Sequence, residues 1–249
     1  MLLGALLAAL AAPAGAQAAP VVLLLHGGGW QSGGSASMIP YRDDLEAHGY
    51  RTRLVDYPLG SVTRAIDYTD AIAQAERLRG EPVIAYGLSA GGTIAAALAA
   101  AGRVDGAIDV VGPTDFTRWV SPVGIAIMLT LGMSEAEKRS ASPAWRLNGL
   151  QTPQLLQCGL VDPITTYDQC TRYVSLARSG NTDTTLQTMV NAHGQWDGDG
   201  DLARAWLQAR WPASGAARRA AWRLRGAQVR AAASISGAVR GGTWRVSTM

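Results

Sequence analysis

A serine lies between two glycines in the segment Gly87-Leu88-Ser89-Ala90-Gly91. An apolar run at 82–86 precedes it and a helical pattern begins at residue 90, so we expect a strand to turn sharply into a helix at this serine. Such a turn projects the hydroxyl clear of the backbone, and the glycines permit the close approach that it requires. The positive end of the following helix favours negative charge that develops nearby. The segment therefore predicts a nucleophilic Ser89.

Three consecutive glycines follow another predicted strand, in the segment His26-Gly27-Gly28-Gly29-Trp30. Consecutive glycines let bare amide groups point at one place, and this geometry stabilises an oxyanion in acyl transfer. The donors would be the amides of Gly28 and Gly29, joined by that of Ala90. A phosphate cradle is the alternative, because glycine-rich loops also bind anions, but this loop has neither of the usual nucleotide-binding glycine patterns.

A hydroxyl nucleophile needs a general base, and the chain has 3 histidines. His26 belongs to the glycine loop, where we expect it to order the backbone. His48 lies in a helix–turn stretch, where we expect it at the surface. His193 follows the last predicted strand, in a loop that can place its imidazole on Ser89. Position and elimination thus favour His193 as the base.

The base in turn needs an acid that orients it. Asp162 follows the penultimate predicted strand and precedes His193, which gives the chain order serine, aspartate, histidine. Asp115, after an earlier strand, is the rival, and strand placement favours Asp162. The acidic turn 197–201 follows His193 too closely to supply the acid. It also lacks the glycine and glutamate of a calcium loop, so we predict no metal site.

Strands and helices alternate along the middle of the chain, as the apolar patterns predict. The predicted strands cover 21–25, 53–57, 82–86, 107–111, 154–158 and 184–190, and the predicted helices cover 39–48, 63–79, 90–101, 166–179 and 200–211. This alternation predicts an α/β fold, a mainly parallel sheet with helices on both faces. Reactive side chains should gather at the carboxyl ends of the strands.

Four segments taken together resemble the α/β-hydrolase superfamily, and within it the hormone-sensitive-lipase-like and acetyl-xylan-esterase-like carboxylesterases. They are HGGGW at 26–30, GLSAGG at 87–92, GLVDPITTYDQ at 159–169 and NAHG at 191–194. The resemblance covers about residues 21–211. It implies that Ser89 is the nucleophile, His193 the base and Asp162 the acid, with Gly28, Gly29 and Ala90 as oxyanion donors. No cofactor is implied.

The chain departs from that family at two places. The family usually has one or two strands before the HGGG strand, so we expect a reduced sheet of about six strands. Only residues 116–145 are left for a cap, with 120–133 apolar enough for one covering helix. A small cap leaves the site open, which suits short acyl groups or esters carried on a polymer. Four residues of the chain are candidates for lining the pocket, although each could equally belong to the core or surface: Trp30, Trp119, Met128 and Trp196.

The two cysteines, Cys158 and Cys170, flank the predicted acid. In an exported protein they could form a disulfide that clamps the acid loop. Two separate small buried residues are the alternative, because sequence does not show whether the two Cβ atoms meet.

The ends of the chain differ in composition from its middle. Residues 1–18 combine an apolar run with small residues that fit a cleavage site, which predicts a signal peptide and a secreted or periplasmic protein. The run is too short to span a bilayer, so we expect no stable membrane anchor. Residues 19–212 form the predicted hydrolase domain. Residues 213–249 hold seven arginines and no acid, so the net charge of +3 belongs to a tail predicted to be disordered, or produced by a frameshift. We therefore expect no nucleic-acid partner for the domain.

The sequence thus predicts a serine hydrolase that cleaves carboxylic esters, on a small molecule or a polymer, through an acyl-enzyme. A prolyl-oligopeptidase-like peptidase or an amidase is the alternative within the enzymes, because it would use the same nucleophile turn and triad. A catalytically silent hydrolase fold used for binding is the alternative outside them.

Overall fold

The computed structural model describes residues 20–147, 152–180, 182–190, 192–193 and 200–213. They form a six-stranded sheet in which every pairing is parallel, in the order β2-β1-β3-β4-β5-β6. The predicted α/β class is confirmed. The strands are β1 (Val21–Leu25), β2 (Arg51–Val55), β3 (Val83–Leu88), β4 (Gly106–Val110), β5 (Gln154–Gly159) and β6 (Thr184–Met189). The predicted signal peptide at 1–18 and nearly all of the basic tail at 213–249 lie outside the described residues.

Seven α-helices connect and cover these strands within the described residues. They are α1 (Ile39–Ala47), α2 (Val62–Arg77), α3 (Ala90–Ala100), α4 (Pro122–Thr130), α5 (Glu135–Ala141), α6 (Tyr167–Ser179) and α7 (Gly200–Arg210). None of the helices in this part of the chain is long and apolar enough to cross a membrane.

Helices cover both faces of the sheet. Since successive side chains of a strand point to opposite sides, each strand contributes side chains to both buried faces. On β1, Leu23 and Leu25 pack into the core beneath α2 and α3, whereas Val22 and Leu24 pack into the core beneath α1 and α7. All five side chains of β1 are at most 2% exposed, which explains its unbroken apolar sequence.

The structure differs from the predicted elements at β2 and after α4. Strand β2 ends at Val55 rather than at residue 57, and its first four side chains are exposed or half-buried, because it is an edge strand with no continuous apolar run. The predicted covering helix at 120–133 is the shorter α4, and a second helix, α5, follows it. Helix α5 begins at a capping box in which Ser134 and Glu137 satisfy each other's backbone amides.

Candidate active site

Ser89 occupies the sharp turn between β3 and α3, with φ of 55° and ψ of −115°. A left-handed backbone is rare for a residue that is not glycine, and it costs free energy that the surrounding structure must supply. Gly87 and Gly91 make the turn possible. A Cβ at Gly87 would lie 2.0 Å from the carbonyl oxygen of Gly91, and one at Gly91 would lie 2.1 Å from that of Leu25. The turn therefore requires glycine at both positions.

Ser89, His193 and Asp162 form one chain of hydrogen bonds. Nε2 of His193 lies 2.8 Å from Oγ of Ser89, and Nδ1 of His193 lies 2.8 Å from Oδ2 of Asp162. An ionised carboxylate only accepts hydrogen bonds, so Nδ1 carries the proton and Nε2 accepts from the serine hydroxyl. This is the arrangement in which imidazole can remove a proton from the hydroxyl.

The loop after β5 holds the Asp162 carboxylate in place. Its Oδ1 accepts hydrogen bonds from the amides of Ile164 at 2.8 Å and Thr165 at 2.9 Å, which leaves Oδ2 for His193. A disulfide between Cys158 on β5 and Cys170 on α6 closes the segment that contains this loop. The pairing that the sequence left open is therefore present in the structure.

The rival acid, Asp115, does not contact His193. Its buried carboxylate pairs with Nε of Arg172 at 3.2 Å and accepts from Oγ1 of Thr117 at 2.6 Å. Oε1 of Gln169 in turn accepts from the amide of Asp115 at 2.8 Å. Asp115 therefore belongs to a separate polar cluster.

The other two histidines bind other groups. His26 is buried, stacks on Tyr57 with ring centroids 4.1 Å apart, and has its Nδ1 2.6 Å from the carbonyl oxygen of Gly27. The hydroxyl of Tyr57 donates to the carbonyl of His26 at 2.6 Å. His48 has Nδ1 2.7 Å from the carbonyl oxygen of Asp44. His26 and Tyr57 thus order the glycine loop, while His48 ends a peripheral helix.

The glycine loop reaches Ser89 from the end of β1. Leu25 pairs with Gly87 in the sheet, so the residues that follow β1 and β3 emerge side by side. Gly28 and Gly29 have φ of 113° and 60°, which glycine adopts without steric cost. Among the described residues, the amides of Gly28, Gly29 and Ala90 have no hydrogen-bond acceptor. These amides can therefore donate hydrogen bonds to an oxygen atom that lies next to Ser89.

A cavity of about 290 Å³ opens in front of Ser89 and His193. Trp30 and Trp119 line it, and the indole of Trp119 is fixed because its Nε1 donates to the carbonyl of Ile164 at 2.7 Å. Met128 is instead buried in the core and does not line the cavity. Its neighbour on α4, Ile127, points in a different direction and lines the cavity. Trp196 lies outside the described residues.

The sequence did not identify several residues that line this cavity. They are Gly27, Leu88, Pro113, Val123, Ile127 and Ile164. Their side chains or backbone come from loops that meet only in the folded chain, so no local spacing indicates them. One indication of such a residue was present in the sequence: Ile164 lies two residues after the predicted acid and could have been expected near the site.

A second carboxyl group lies near the nucleophile turn, on β4. Asp109 is 2% exposed, and its Oδ1 accepts from the amide of Gly112 at 2.8 Å. A Cβ at Gly92 of α3 would lie 2.2 Å from the same oxygen. Burial raises the pKa of Asp109 to about 8, although the Gly112 bond acts in the opposite direction. The carboxyl is therefore largely protonated near neutral pH.

Metal ligation is not indicated in this part of the chain. Among the described residues, no group of 3 or more His, Cys, Asp or Glu side chains is placed to hold a metal ion.

Known proteins show the same fold. The sequence model of the prolyl oligopeptidase family matches residues 59–211, which is more than half of the chain. No curated protein sequence matches closely enough to compare.

The structure is similar to those of esterase 2 from the planctomycete Thermogutta terrifontis. The native form has 18% identity and a TM-score of 0.68, over 80% of this chain and 85% of that one. The sarin-phosphonylated form has 18% identity and a TM-score of 0.70, over 80% and 87%. The butyrate-bound form has 18% identity and a TM-score of 0.68, over 80% and 86%. At this identity the similarity demonstrates the fold.

Proposed function

Since this chain belongs to the prolyl oligopeptidase family and is a serine hydrolase of the α/β-hydrolase fold, we propose that it cleaves carboxylic esters with short acyl groups through an acyl-enzyme on Ser89. The observation that carries this proposal is the hydrogen-bonded chain from Ser89 through His193 to Asp162. It supports Ser89 as the nucleophile, His193 as the base and Asp162 as the acid.

Acylation begins with attack of the Ser89 oxygen on the ester carbonyl carbon. Nε2 of His193 takes the hydroxyl proton as the new C–O bond forms, and Asp162 stabilises the resulting imidazolium. The carbonyl oxygen becomes an oxyanion. The amides of Gly28, Gly29 and Ala90 are free to donate to it, and the N-terminus of α3 adds favourable electrostatic potential.

Collapse of the tetrahedral intermediate breaks the ester C–O bond. The alcohol leaves with the proton that His193 returns to it, and Ser89 remains acylated. Water then attacks the acyl carbon with His193 again as base, and the acid product leaves as the Ser89 hydroxyl is restored. The cycle needs no cofactor, because every proton moves between Ser89, His193, water and the substrate.

The size and lining of the cavity favour a short acyl group. The cavity holds about 290 Å³, and among its described lining residues only His193 carries a titratable side chain. Val123, Ile127 and Ile164 give it an aliphatic wall, which suits a hydrocarbon chain of a few carbons. The structural neighbour from Thermogutta terrifontis binds propionate and butyrate, which is consistent with this size.

Replacement of the nucleophile tests the proposal. Ser89→Ala should abolish hydrolysis of p-nitrophenyl butyrate while the far-ultraviolet circular dichroism spectrum stays the same. Ser140→Ala, on an exposed position of α5, is the matched control and should retain activity. Undiminished turnover by Ser89→Ala would refute the assignment.

Peptide or amide cleavage is the second candidate, because the family model that matches is that of the prolyl oligopeptidases. Butyryl p-nitroanilide and p-nitrophenyl butyrate share one acyl group and differ in the bond cleaved. A higher kcat/KM for the ester supports esterase activity, whereas a higher value for the anilide supports the amidase. A silent binding protein would leave a fluorophosphonate probe unattached to Ser89.

We also propose that the protein is exported. The Cys158–Cys170 disulfide supports this, because disulfides persist mainly in oxidising compartments. The predicted signal at 1–18 agrees with it. Mass spectrometry of the protein recovered from the periplasm or medium tests the proposal, since export predicts loss of about 18 N-terminal residues.

A further inference from the structure

The backbone of Ile164 lies between the wall of the cavity and the proposed acid. Its amide donates to Oδ1 of Asp162 at 2.8 Å. Its carbonyl accepts two hydrogen bonds, from Nε1 of Trp119 at 2.7 Å and from Oγ of Ser121 at 2.6 Å. One residue therefore contacts the acid on one side and the segment that leads into α4 on the other.

Ser121 uses its hydroxyl group for two hydrogen bonds at once. Besides donating to Ile164, its oxygen accepts from the amide of Gly124 at 3.1 Å and so caps the N-terminus of α4. The residue is 5% exposed, which leaves little access for water to replace either partner. This hydroxyl thus joins the first turn of α4 to the loop after β5.

Trp119 makes a second connection between the same two segments. A Cβ at Gly124 would lie 2.5 Å from Cε2 of the indole, so α4 packs directly on this ring. The ring is 2% exposed and donates to the carbonyl of Ile164. Helix α4 also contributes Val123 and Ile127 to the cavity wall. A movement of this wall is therefore transmitted to Ile164.

The position of Ile164 matters for the reaction because Asp162 depends on it. Oδ1 of the carboxylate is bound by the amides of Ile164 and Thr165, and this leaves Oδ2 to hold Nδ1 of His193. A rotation of the Ile164 backbone would turn the carboxylate and release the imidazole. Misplacement of a group by about 1 Å can cost about 10²-fold in rate.

We propose that Ser121 is a positioning residue, which couples the cavity wall on α4 to the carboxylate of Asp162 through the backbone of Ile164. The inference rests on the proposed roles of Ser89, His193 and Asp162. Ser121 is not among the described residues that line the cavity, so it acts through Ile164. An acyl group that contacts α4 should consequently affect the rate of the reaction as well as binding.

The tautomer of His193 reports the position of the acid without any substrate. Correlation of the ring carbon-bound protons with both ring nitrogens, by NMR of the whole ¹⁵N-labelled protein, shows which nitrogen carries the proton. The unmodified protein should hold it on Nδ1. In Ser121→Ala the fraction with the proton on Nε2 should rise about tenfold, the equivalent of losing one hydrogen bond. Asp162→Asn is the positive control for this change.

Two further variants separate positioning from helix capping. Ser134→Ala removes the cap of α5, whose hydroxyl accepts from the amide of Glu137 at 3.2 Å. It should lower the melting temperature, as Ser121→Ala does, but should leave the tautomer of His193 and kcat unchanged. Ser121→Thr keeps a hydroxyl group at this position and should restore most of what Ser121→Ala loses.

Kinetics give a second and independent readout. Ser121→Ala should lower kcat for p-nitrophenyl butyrate about tenfold and leave KM nearly unchanged, because the hydroxyl acts on the acid and not on the substrate. In the Asp162→Asn background the same substitution should cost almost nothing more, since its route to the reaction is already removed.

Three results would overturn the inference: an unchanged tautomer in Ser121→Ala, an equal loss of kcat in Ser134→Ala, or additive losses in the double variant Ser121→Ala/Asp162→Asn. If Ser121→Ala does not fold, Trp119→Phe removes the other donor to Ile164, and it too must shift the tautomer. If the unmodified protein hydrolyses no ester, the proposed function fails, whereas the tautomer of His193 still tests the coupling.

Discussion

His193 and Asp162 share a 2.8 Å hydrogen bond across 31 residues of sequence, and the second oxygen of that carboxylate is already bound by two backbone amides. The carboxylate therefore has one orientation, and it imposes one tautomer and one orientation on the imidazole. Under the proposed mechanism, catalysis depends on the short loop after β5 as much as on the turn that holds Ser89.

The acid loop gives the first prediction. Asp162→Asn should lower kcat for p-nitrophenyl butyrate about 10³–10⁴-fold, because the amide no longer fixes the tautomer in which Nε2 accepts from Ser89. Steady-state kinetics measure the loss. Asp43→Asn makes the same chemical change at an exposed position of α1 and should retain full activity. A loss of less than tenfold in Asp162→Asn would show that another group orients His193.

The nucleophile turn gives a prediction about stability. Gly91→Ala places a methyl group 2.1 Å from the carbonyl oxygen of Leu25 and 2.7 Å from that of His26, both on backbone that cannot yield easily. We expect a loss of about 3 kcal/mol in the free energy of unfolding, measured with urea. Gly34→Ala is the control: its φ of −173° suits any residue, and the added Cβ would lie 3.6 Å from Asp56. Equal stability of the two variants would contradict the steric argument.

Helix α4 should determine which acyl chain length the protein prefers in its ester substrates. Ile127→Ala removes part of the aliphatic wall, so the ratio of kcat/KM for the hexanoate ester to that for the acetate ester should rise about tenfold. The p-nitrophenyl esters of both acids provide the measurement. Ile125→Ala shortens an exposed side chain of the same helix and should leave the ratio unchanged. An unchanged ratio in Ile127→Ala would place the acyl chain elsewhere.

The disulfide should contribute to stability and to catalysis together. Removing it by the double variant Cys158→Ala/Cys170→Ala should lower the free energy of unfolding by about 2–3 kcal/mol, because the bond closes a short loop. The kcat should fall as well, since that loop contains Asp162. Dithiothreitol should reproduce both effects in the unmodified protein and have none in the double variant. A stabilising effect of reduction would refute this role.

Asp109 should make stability depend on pH. Its pKa is raised from an ordinary value of 3.8 to about 8, so between these values the folded protein holds a proton that the unfolded chain releases. Stability should therefore fall as pH rises from 4 towards 8. Asp109→Asn keeps the acceptor for Gly112, should flatten this slope, and should be more stable than the unmodified protein at pH 8 by at least about 1.4 kcal/mol, the equivalent of one pKa unit. The free energy of unfolding is measured by urea titration at several pH values in this range. Equal dependence on pH in Asp109→Asn and the unmodified protein would contradict the prediction.

The sequence was informative where a local pattern is strong. The buried strand β1 is an unbroken apolar run, and its predicted bounds match the structure. The segment around Ser89 predicted a strand-to-helix turn, which the structure contains. The choice of Asp162 over Asp115 followed from the order of the strands, and it agrees with the contacts of His193.

What the sequence could not supply depends on contacts between distant segments. The lining residues Pro113, Val123 and Ile164 meet only after three separate loops have packed together. Helix α5 was missed although its capping box is visible in sequence, because the helix is short and has no long apolar stripe. The role of Asp115 depends on Arg172 and Trp145, which lie far along the chain.

The order of the strands has a consequence for the newly made protein. Ser89 follows β3, Asp162 follows β5 and His193 follows β6, which of the six described strands is the last to leave the ribosome. A chain interrupted before β6 holds its nucleophile but no base, and the edge of β5 that β6 covers is still open. Under the proposed mechanism, hydrolytic activity can therefore arise only after almost the whole domain has been synthesised and folded, and a chain interrupted before β6 is inert.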